Sequence, residues 1–314
     1  MIKYTITRII SVVPVVWIVT AVVFGLTYLS PGDPAAIMAG DYATPAQIEA
    51  IRERLQLDAP VFIRYLQWLH DALEGNLGIS LFSGQPVARL ILTRIEPTIT
   101  LATTSTVIAL IVSVPLGLLA AHRPGTVLDR IVLLFCVAGM SVPAFLVGYV
   151  LIFTFGVSFG WLPVQGFVGV DQGIGEFVRH VILPAVMLGL TQTALVARIT
   201  RASAIEIFNQ DFIRVARAKG LSEFTIIVRH CLRLVAIPIV TIIGTSFATL
   251  LGGVVITETV FAIPGVGRLL VDAIQHKDIP VIQGVLLMSA LVYVIMNLLV
   301  DLTYPVIDRR IQYT

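Results

Sequence analysis

Between Arg8 and Asp33 the chain carries no charged side chain, and the same holds for residues 97–122, 131–170, 180–197, 234–257 and 279–300. These six charge-free stretches constrain the fold more than any other feature. A hydrocarbon core takes about 20 apolar residues per helix, and a charged side chain at its centre costs about 2.5–3.5 kcal/mol on insertion scales. Each stretch therefore has room for one spanning helix. The fourth is the shortest, at 18 residues, and contains Pro184; at a rise of ~1.5 Å per residue it still reaches about 27 Å. Of the 314 residues 57% are apolar and 13% charged, against about 25% charged in soluble domains, which excludes a water-soluble enzyme. It also excludes a disordered chain. A net charge of +2 is too small to suggest nucleic acid. Cys136 and Cys231 allow at most one bridge and have no metal-type spacing. The expected class is an all-α integral membrane protein.

The stretch 131–170 is long enough for two spans, and a seventh helix would reverse the sidedness of everything after it. Charge separates the two cases. With six spans, Lys3, Arg8, Arg123, Arg130, the seven basic residues between Arg198 and Arg233, Arg309 and Arg310 share one side, which makes thirteen of the 21 Lys and Arg. Of the remaining eight, five lie in a single long loop, whereas orientation follows short flanks. Six spans with both termini cytoplasmic is the expected topology, the third helix ending at Gly156, Gly160 and Pro163. Lys3 and Arg8 before an apolar run imitate a secretory signal, but residues 9–29 outlast a cleavable core of roughly 7–15 residues and are read as a retained first span. The predicted order is: cytoplasmic 1–8, first span 9–29, external insert 30–96, second span 97–121, third 131–156, external loop 157–179, fourth 180–199, cytoplasmic loop 200–235, fifth 236–257, external segment 258–280, sixth 281–304, and cytoplasmic 305–314.

The insert is too charged for lipid and too patterned for a linker. Thr44, Pro45 and Gln47 form a capping box before Ile48, Ile51 and Leu55. After Asp58 and Pro60 a second helix is predicted, with Phe62, Tyr65, Leu66, Leu69 and Leu73 on one stripe. These stripes either pack on the external mouth of the bundle or dock a soluble partner.

The strongly basic stretch, Arg198 to Arg233, has its own punctuation. Asp211 is placed to cap a short helix from Phe212 to Lys219, Gly220 to end it in a left-handed turn, and Ser222 to cap a second short helix at an angle to the first. The run Arg214-Val215-Ala216-Arg217-Ala218-Lys219-Gly220-Leu221, followed by His230, Leu232, Arg233 and Pro238, resembles the coupling loop of permease subunits of binding-protein-dependent ABC importers of the dipeptide, oligopeptide and nickel class. Glu258-Thr259-Val260-Phe261, the run Pro264 to Leu270, Asn297 to Asp301, Asp308 to Tyr313, Pro31 to Pro34 and Leu77 to Ser80 resemble further signatures of that class, from the first helix to the C-terminus. The general pattern E-A-A-x-x-x-G-x(9)-I-x-L-P is met in part: Arg214 and Val215 replace its first two residues, and Arg233 stands at its proline.

The resemblance implies one permease domain over about 97–304, with a helical periplasmic insert after the first helix and a cytoplasmic coupling helix between the fourth and fifth, in a bacterial inner membrane. It implies a second homologous permease, two cytoplasmic ATPases that bind ATP and magnesium, and an external binding protein that delivers di- or oligopeptides. It assigns the ATPase contact to Asp211, Phe212, Arg214, Val215, Ala216, Arg217, Lys219 and Gly220. Independently, the chain lacks a G-x-x-x-x-G-K-[ST] phosphate loop. On this reading it holds no cofactor and is no enzyme.

Ion-coupled carriers bury titratable groups at depth, whereas Glu96, Glu258 and Asp301 fall at span ends here, which disfavours an ion-driven alternative. Neutral polar groups do occur within spans: Thr100, Thr103, Thr104 and Ser105 in the second, Thr191, Gln192 and Thr193 in the fourth. Thr103, Thr191 and Gln192 are candidates to line a route; the plainer reading is that hydroxyls bond back to their own helix and Gln192 ties two helices together. Gly244, Ala248 and Gly252 form a small-residue groove for helix packing, within the chain or between permeases. Pro115, Pro143 and Pro184 mark hinges or static kinks. An intramembrane protease would need an H-E-x-x-H or an intramembrane Asp pair, and the sequence holds neither; a non-transporting receptor subunit would not need the basic elbow.

Overall fold

Backbone in a bilayer has no water to bond, so each apolar stretch closes its own hydrogen bonds as helix. The structure, a computed structural model, describes residues 2–29, 35, 44–54 and 58–307. Its helices are α1 (Ile2–Leu29), α2 (Pro45–Arg54), α3 (Val61–Leu73), α4 (Val87–Leu92), α5 (Ile95–His122), α6 (Val127–Ser141), α7 (Ala144–Leu151, continued by a π-helical stretch to Ser158), α8 (Ile174–Phe208), α9 (Asp211–Ala218), α10 (Glu223–Thr225, continued by π-helical turns to Cys231), α11 (Leu232–Val260), α12 (Val266–Gln275) and α13 (Ile279–Ile307). Among the described residues the one β pairing is an isolated bridge between Ile79 and Pro86. Among the described residues five single helical stretches are long and apolar enough to cross a bilayer: Arg8–Leu26, Val87–His122, Ile174–Phe208, Glu223–Phe247 and Ile279–Tyr304.

The third crossing departs from the straight helix expected over 131–156. It begins at Val127, capped by Thr126, and breaks at Val142–Pro143, where α6 and α7 meet at 101°. Proline removes a backbone donor and pushes the residue before it out of the helical region; Val142 is extended, at φ −80° and ψ 125°. Pro115 and Pro184 lie inside unbroken helices, so of the three candidate hinges only Pro143 interrupts the chain.

The pair α6–α7 nevertheless returns the chain across the bundle once. Helices α5 and α8 lie side by side and run parallel: a methyl on Gly189 would sit 3.0 Å from the Ser105 carbonyl oxygen, and one on Gly117 would sit 2.7 Å from Thr200 Cβ. Two parallel helices joined in sequence need one crossing between them. Small residues bring these backbones close, as is usual where lipid supplies no hydrophobic drive between helices.

The fourth helix also differs from expectation. Predicted over 180–199, it runs from Ile174 to Phe208, about 52 Å at ~1.5 Å per residue, well beyond a core of about 30 Å. Arg198 ends the apolar window but not the helix, because Ala202, Ala204, Ile205 and Glu206 are good or adequate helix formers once clear of lipid.

Two units can be distinguished. Met1–Arg8, Glu96–Gly267 and Ile295–Thr314 form one; Ile9–Ile95 and Arg268–Val294 form the other. In the first, an apolar cluster joins Leu118, Val196, Ile207, Phe208, Ile213, Ile226 and Val235, and a second joins Leu101, Leu183, Met187, Val254, Phe261 and Ile263. Cys136 and Cys231 are both buried free thiols. Gly244 faces Val300 of α13, where an added methyl would overlap the valine side chain, and Thr241 shares a 2.9 Å hydrogen bond with Tyr304 nearby. The groove is thus filled at Gly244 by the chain's own last helix; the side chains at 248 and 252 lie outside the described residues. Gly244→Ala is expected to cost about 1–3 kcal/mol by overpacking, measured by denaturant unfolding in detergent, and Val300→Ala in the same chain is expected to recover most of it.

In the second unit the Thr44 capping box forms as expected, with Thr44 N donating to Gln47 Oε1 at 2.8 Å and Gln47 N to Thr44 Oγ1 at 3.4 Å. Leu55 lies outside the described residues, as do Pro31–Pro34 and Asp308–Tyr313. Helix α3 packs on α1 by a narrower face than its stripe suggested. Tyr65 is buried, shares a 2.8 Å hydrogen bond with Thr20, and meets Phe24 edge-on; Trp68 also meets Phe24. Phe62, Leu66 and Leu73 remain exposed. Asp278 is buried and accepts from the Ser80 hydroxyl and from the backbone N–H groups of Leu81 and Phe82.

Candidate functional site

The elbow between α8 and α11 is built as two caps around a glycine. Helix α9 starts at Asp211 with Gln210 at its N-cap, so Asp211 lies in the first turn and does not cap; it pairs with Arg214 at 3.4 Å. At the far end Leu221 N donates to the Ala216 carbonyl at 3.2 Å and Gly220 N to that of Arg217 at 2.9 Å. This is the six-to-one and five-to-two pattern of a left-handed helix stop, with Gly220 at φ +79°. Ser222 then caps α10 by accepting from Thr225 N. The second helix is not a short one: α10 and its π-helical turns feed directly into α11, so the elbow has one free-standing helix.

The two sides of α9 differ in burial. Ile213 and Ala216 are buried, in the cluster with Ile207, Phe208, Ile226 and Val235, so Ala216 anchors α9 to the bundle. Arg217 is committed as well: its guanidinium donates to Glu223 at 2.8 and 3.3 Å, a pairing that raises its pKa above the usual arginine value. Glu223 also approaches His122 at the end of α5, at 3.6 Å. Arg217 and Glu223 therefore tie α9 to the start of α10. What α9 presents outward is Asp211, Phe212, Arg214, Val215 and Lys219, with the Gly220 turn. Leu221 and Phe224 extend the apolar part of this surface, Phe224 being 75% exposed. Sequence reasoning missed Phe224; its place two residues after a capping serine, beyond a glycine stop, was the available signal.

A second missed feature joins the α5–α6 loop to α8. Asp129, 2% exposed, binds Arg201 of α8 through both carboxylate oxygens, Arg201 Nη2 donating to Oδ2 at 2.8 Å, while Gly125 N donates to the same carboxylate at 2.8 Å. The loop joining α5 to α6 is thereby pinned to α8. Near the other end of the unit Glu258 is fully buried: Thr98 Oγ1 donates to it at 2.6 Å and accepts from Val266 N at 2.9 Å. A methyl on Gly265 would overlap the Glu258 carboxylate, so glycine there makes room for it. A charge that read as the end of a span is an interior latch between α5, α11 and the start of α12.

The three pathway candidates separate. Thr103 is exposed and bonds back to the Ile99 carbonyl at 2.7 Å; Thr191 is exposed as well. Gln192 is 7% exposed, and its buried Oε1 has no hydrogen-bond partner. It ties no second helix through that atom and faces the interior of the subunit. Thr106, Ser105 and Thr193 bond back to their own helices, as the plainer reading expected.

With this geometry in view, comparison with known proteins gives a consistent result. Residues 113–313 match the family described as binding-protein-dependent transport system inner membrane component, and residues 1–102 match its N-terminal family. The chain is 46% identical over 310 residues to the probable peptide ABC transporter permease protein y4tP of Sinorhizobium fredii, covering 99% of both chains. It is 41% identical over 313 residues to the glutathione transport system permease protein GsiC of an Escherichia coli strain, covering 100% of both. Among solved structures, the inward-facing MetNI methionine ABC transporter shares the fold at a TM-score of 0.55 and 19% identity, over 70% of this chain and 97% of the other. This chain belongs to the family of inner membrane components of binding-protein-dependent ABC transport systems.

Proposed function

We propose that the chain forms half of the membrane pathway of an ATP-driven importer for small peptides, and that a cytoplasmic ATPase grips it at the elbow of residues 211–224. The observation that carries this reading is the elbow's division of faces. Ile213, Ala216 and Arg217 are spent on holding α9 to the bundle, and Phe212, Val215, Leu221 and Phe224 are left as an apolar outward surface ringed by Asp211, Arg214 and Lys219. A surface of that kind, on an element so fixed, suits a partner that must transmit force. The assembly would comprise a second homologous permease, two ATPases binding ATP and magnesium, and an external binding protein. The names of the relatives support peptides or glutathione as cargo. Thr103 and Thr191 are two exposed neutral polar groups available to a pathway completed by the second permease. The excess of Lys and Arg beside the elbow supports placing it and both termini in the cytoplasm.

The test is Val215→Glu with Phe224→Glu. The two changes are expected to leave the permease inserted and to lower substrate-stimulated ATP hydrolysis at least tenfold, with loss of the ATPase on co-purification, as removal of central apolar anchors does at other interfaces. Full retention of both would remove the proposed contact.

A further inference from the structure

Helix α3 poses a question that the pathway does not answer. Its apolar stripe is wider than the face it buries. Tyr65, Trp68 and the half-buried Leu69 and Ala72 turn toward α1, while Phe62, Leu66 and Leu73, beside them on one flank, are 67%, 47% and 80% exposed. The remaining arc is mainly polar, carrying Arg64, Gln67, His70, Asp71 and Glu74 around one exposed apolar residue, Ile63. A helix divided into a packed side, an apolar flank and a polar flank is built for a boundary between two solvents.

The depth of the packing identifies that boundary. The apolar span of α1 is Arg8–Leu26, and α3 meets it at Thr20 and Phe24. Thr20 lies six residues inside the end of that span, about 9 Å at ~1.5 Å per residue. Interfacial helices bury their apolar side by about 5–10 Å. On α1 itself Ile18 and Val22, at the same level, are 56% and 61% exposed, as lipid-facing residues are. Trp68 and Tyr65 are the side chains enriched where acyl chains meet headgroups. We propose that α3 is an interfacial membrane helix, with Phe62, Leu66 and Leu73 seated among phospholipid acyl chains in the leaflet at the Leu26 end of the first span. This rests on family membership and the insertion of α1, and stands apart from the substrate and motor proposed above.

The test places single cysteines at positions 62, 66, 73 and 71 in a Cys136→Ala, Cys231→Ala background. Each variant, in whatever assembly it purifies, is spin-labelled and reconstituted in phosphatidylethanolamine–phosphatidylglycerol nanodiscs. Labels at 62, 66 and 73 should collide with oxygen several-fold more than with a water-soluble nickel chelate, and the label at 71 should show the reverse. In parallel, the unmodified chain photolysed with a diazirine phospholipid should carry lipid adducts within residues 61–73. Nickel accessibility at 62, 66 and 73 equal to that at 71 would overturn the proposal, as would shielding from both reagents, which would mean a protein covers the flank. Absence of lipid adducts from the native helix would overturn it as well.

Discussion

Arg201→Met is expected to destabilise the folded permease by about 3–5 kcal/mol, the cost of leaving one member of a buried ion pair without the other. Asp129 is 2% exposed, and once Arg201 is gone its carboxylate keeps only the Gly125 N–H, well short of what an ionised carboxylate needs. The loss should appear as a lower midpoint in denaturant titration of the purified protein. The double variant Asp129→Leu, Arg201→Met should be markedly more stable than Arg201→Met alone, since an apolar pair avoids the stranded charge. Equal stability of the single and double variants would mean that solvent reaches the site and the pair contributes little. Transport should fall with stability in the single variant, because the pair fixes the α5–α6 loop against α8.

Gly220→Val should have the largest effect on function. At φ +79° a side chain costs about 1–2 kcal/mol through contact with its own backbone, and β-branching adds to that. No heavy atom lies within 4 Å of a methyl at this position, so the penalty is conformational and not a clash. The chain's cheapest response is to unwind the stop, which releases the bonds from Gly220 and Leu221 to the last turn of α9 and re-aims the helix. Insertion and yield should be near normal, while substrate-stimulated ATP hydrolysis in the reconstituted assembly should fall at least tenfold. Gly220→Asn separates this cause from others, because asparagine tolerates the left-handed region; it should retain most of the stimulation. Normal stimulation in the valine variant would detach the elbow from energy transfer.

The spans, the capping box at Thr44 and the Gly220 stop could be read from sequence because each depends on residues close together in the chain. Charge sets where lipid ends, Thr44 reaches Gln47, and Gly220 answers to the turn before it. What escaped depends on partners far away. Asp129 and Arg201 are 72 residues apart and Thr98 and Glu258 are 160 apart, and no local pattern marks either pair. Proline was ambiguous for another reason: Pro115, Pro143 and Pro184 present the same local chemistry, and only Pro143 follows a residue that has left the helical region. On α9 the periodicity shows that Phe212 and Val215 share one side and Ile213 and Ala216 another. It cannot say which pair the bundle takes. The stripe on α3 was real, and α1 covers only part of it.

From Ser222 the chain runs through α10, its π-helical turns and α11 without a break to Glu258, a helical length of roughly 55 Å at ~1.5 Å per residue. One foot of this shaft is tied to the elbow by Arg217 and Glu223, and the other is held at Glu258 by Thr98. A shaft held this way would carry a displacement at its foot to its head. Its slack sits in the π-helical turns at Ile226–Cys231, where the hydrogen bonds are wider, so stiffening that short collar to ordinary helix would alter the gearing without touching either clamp.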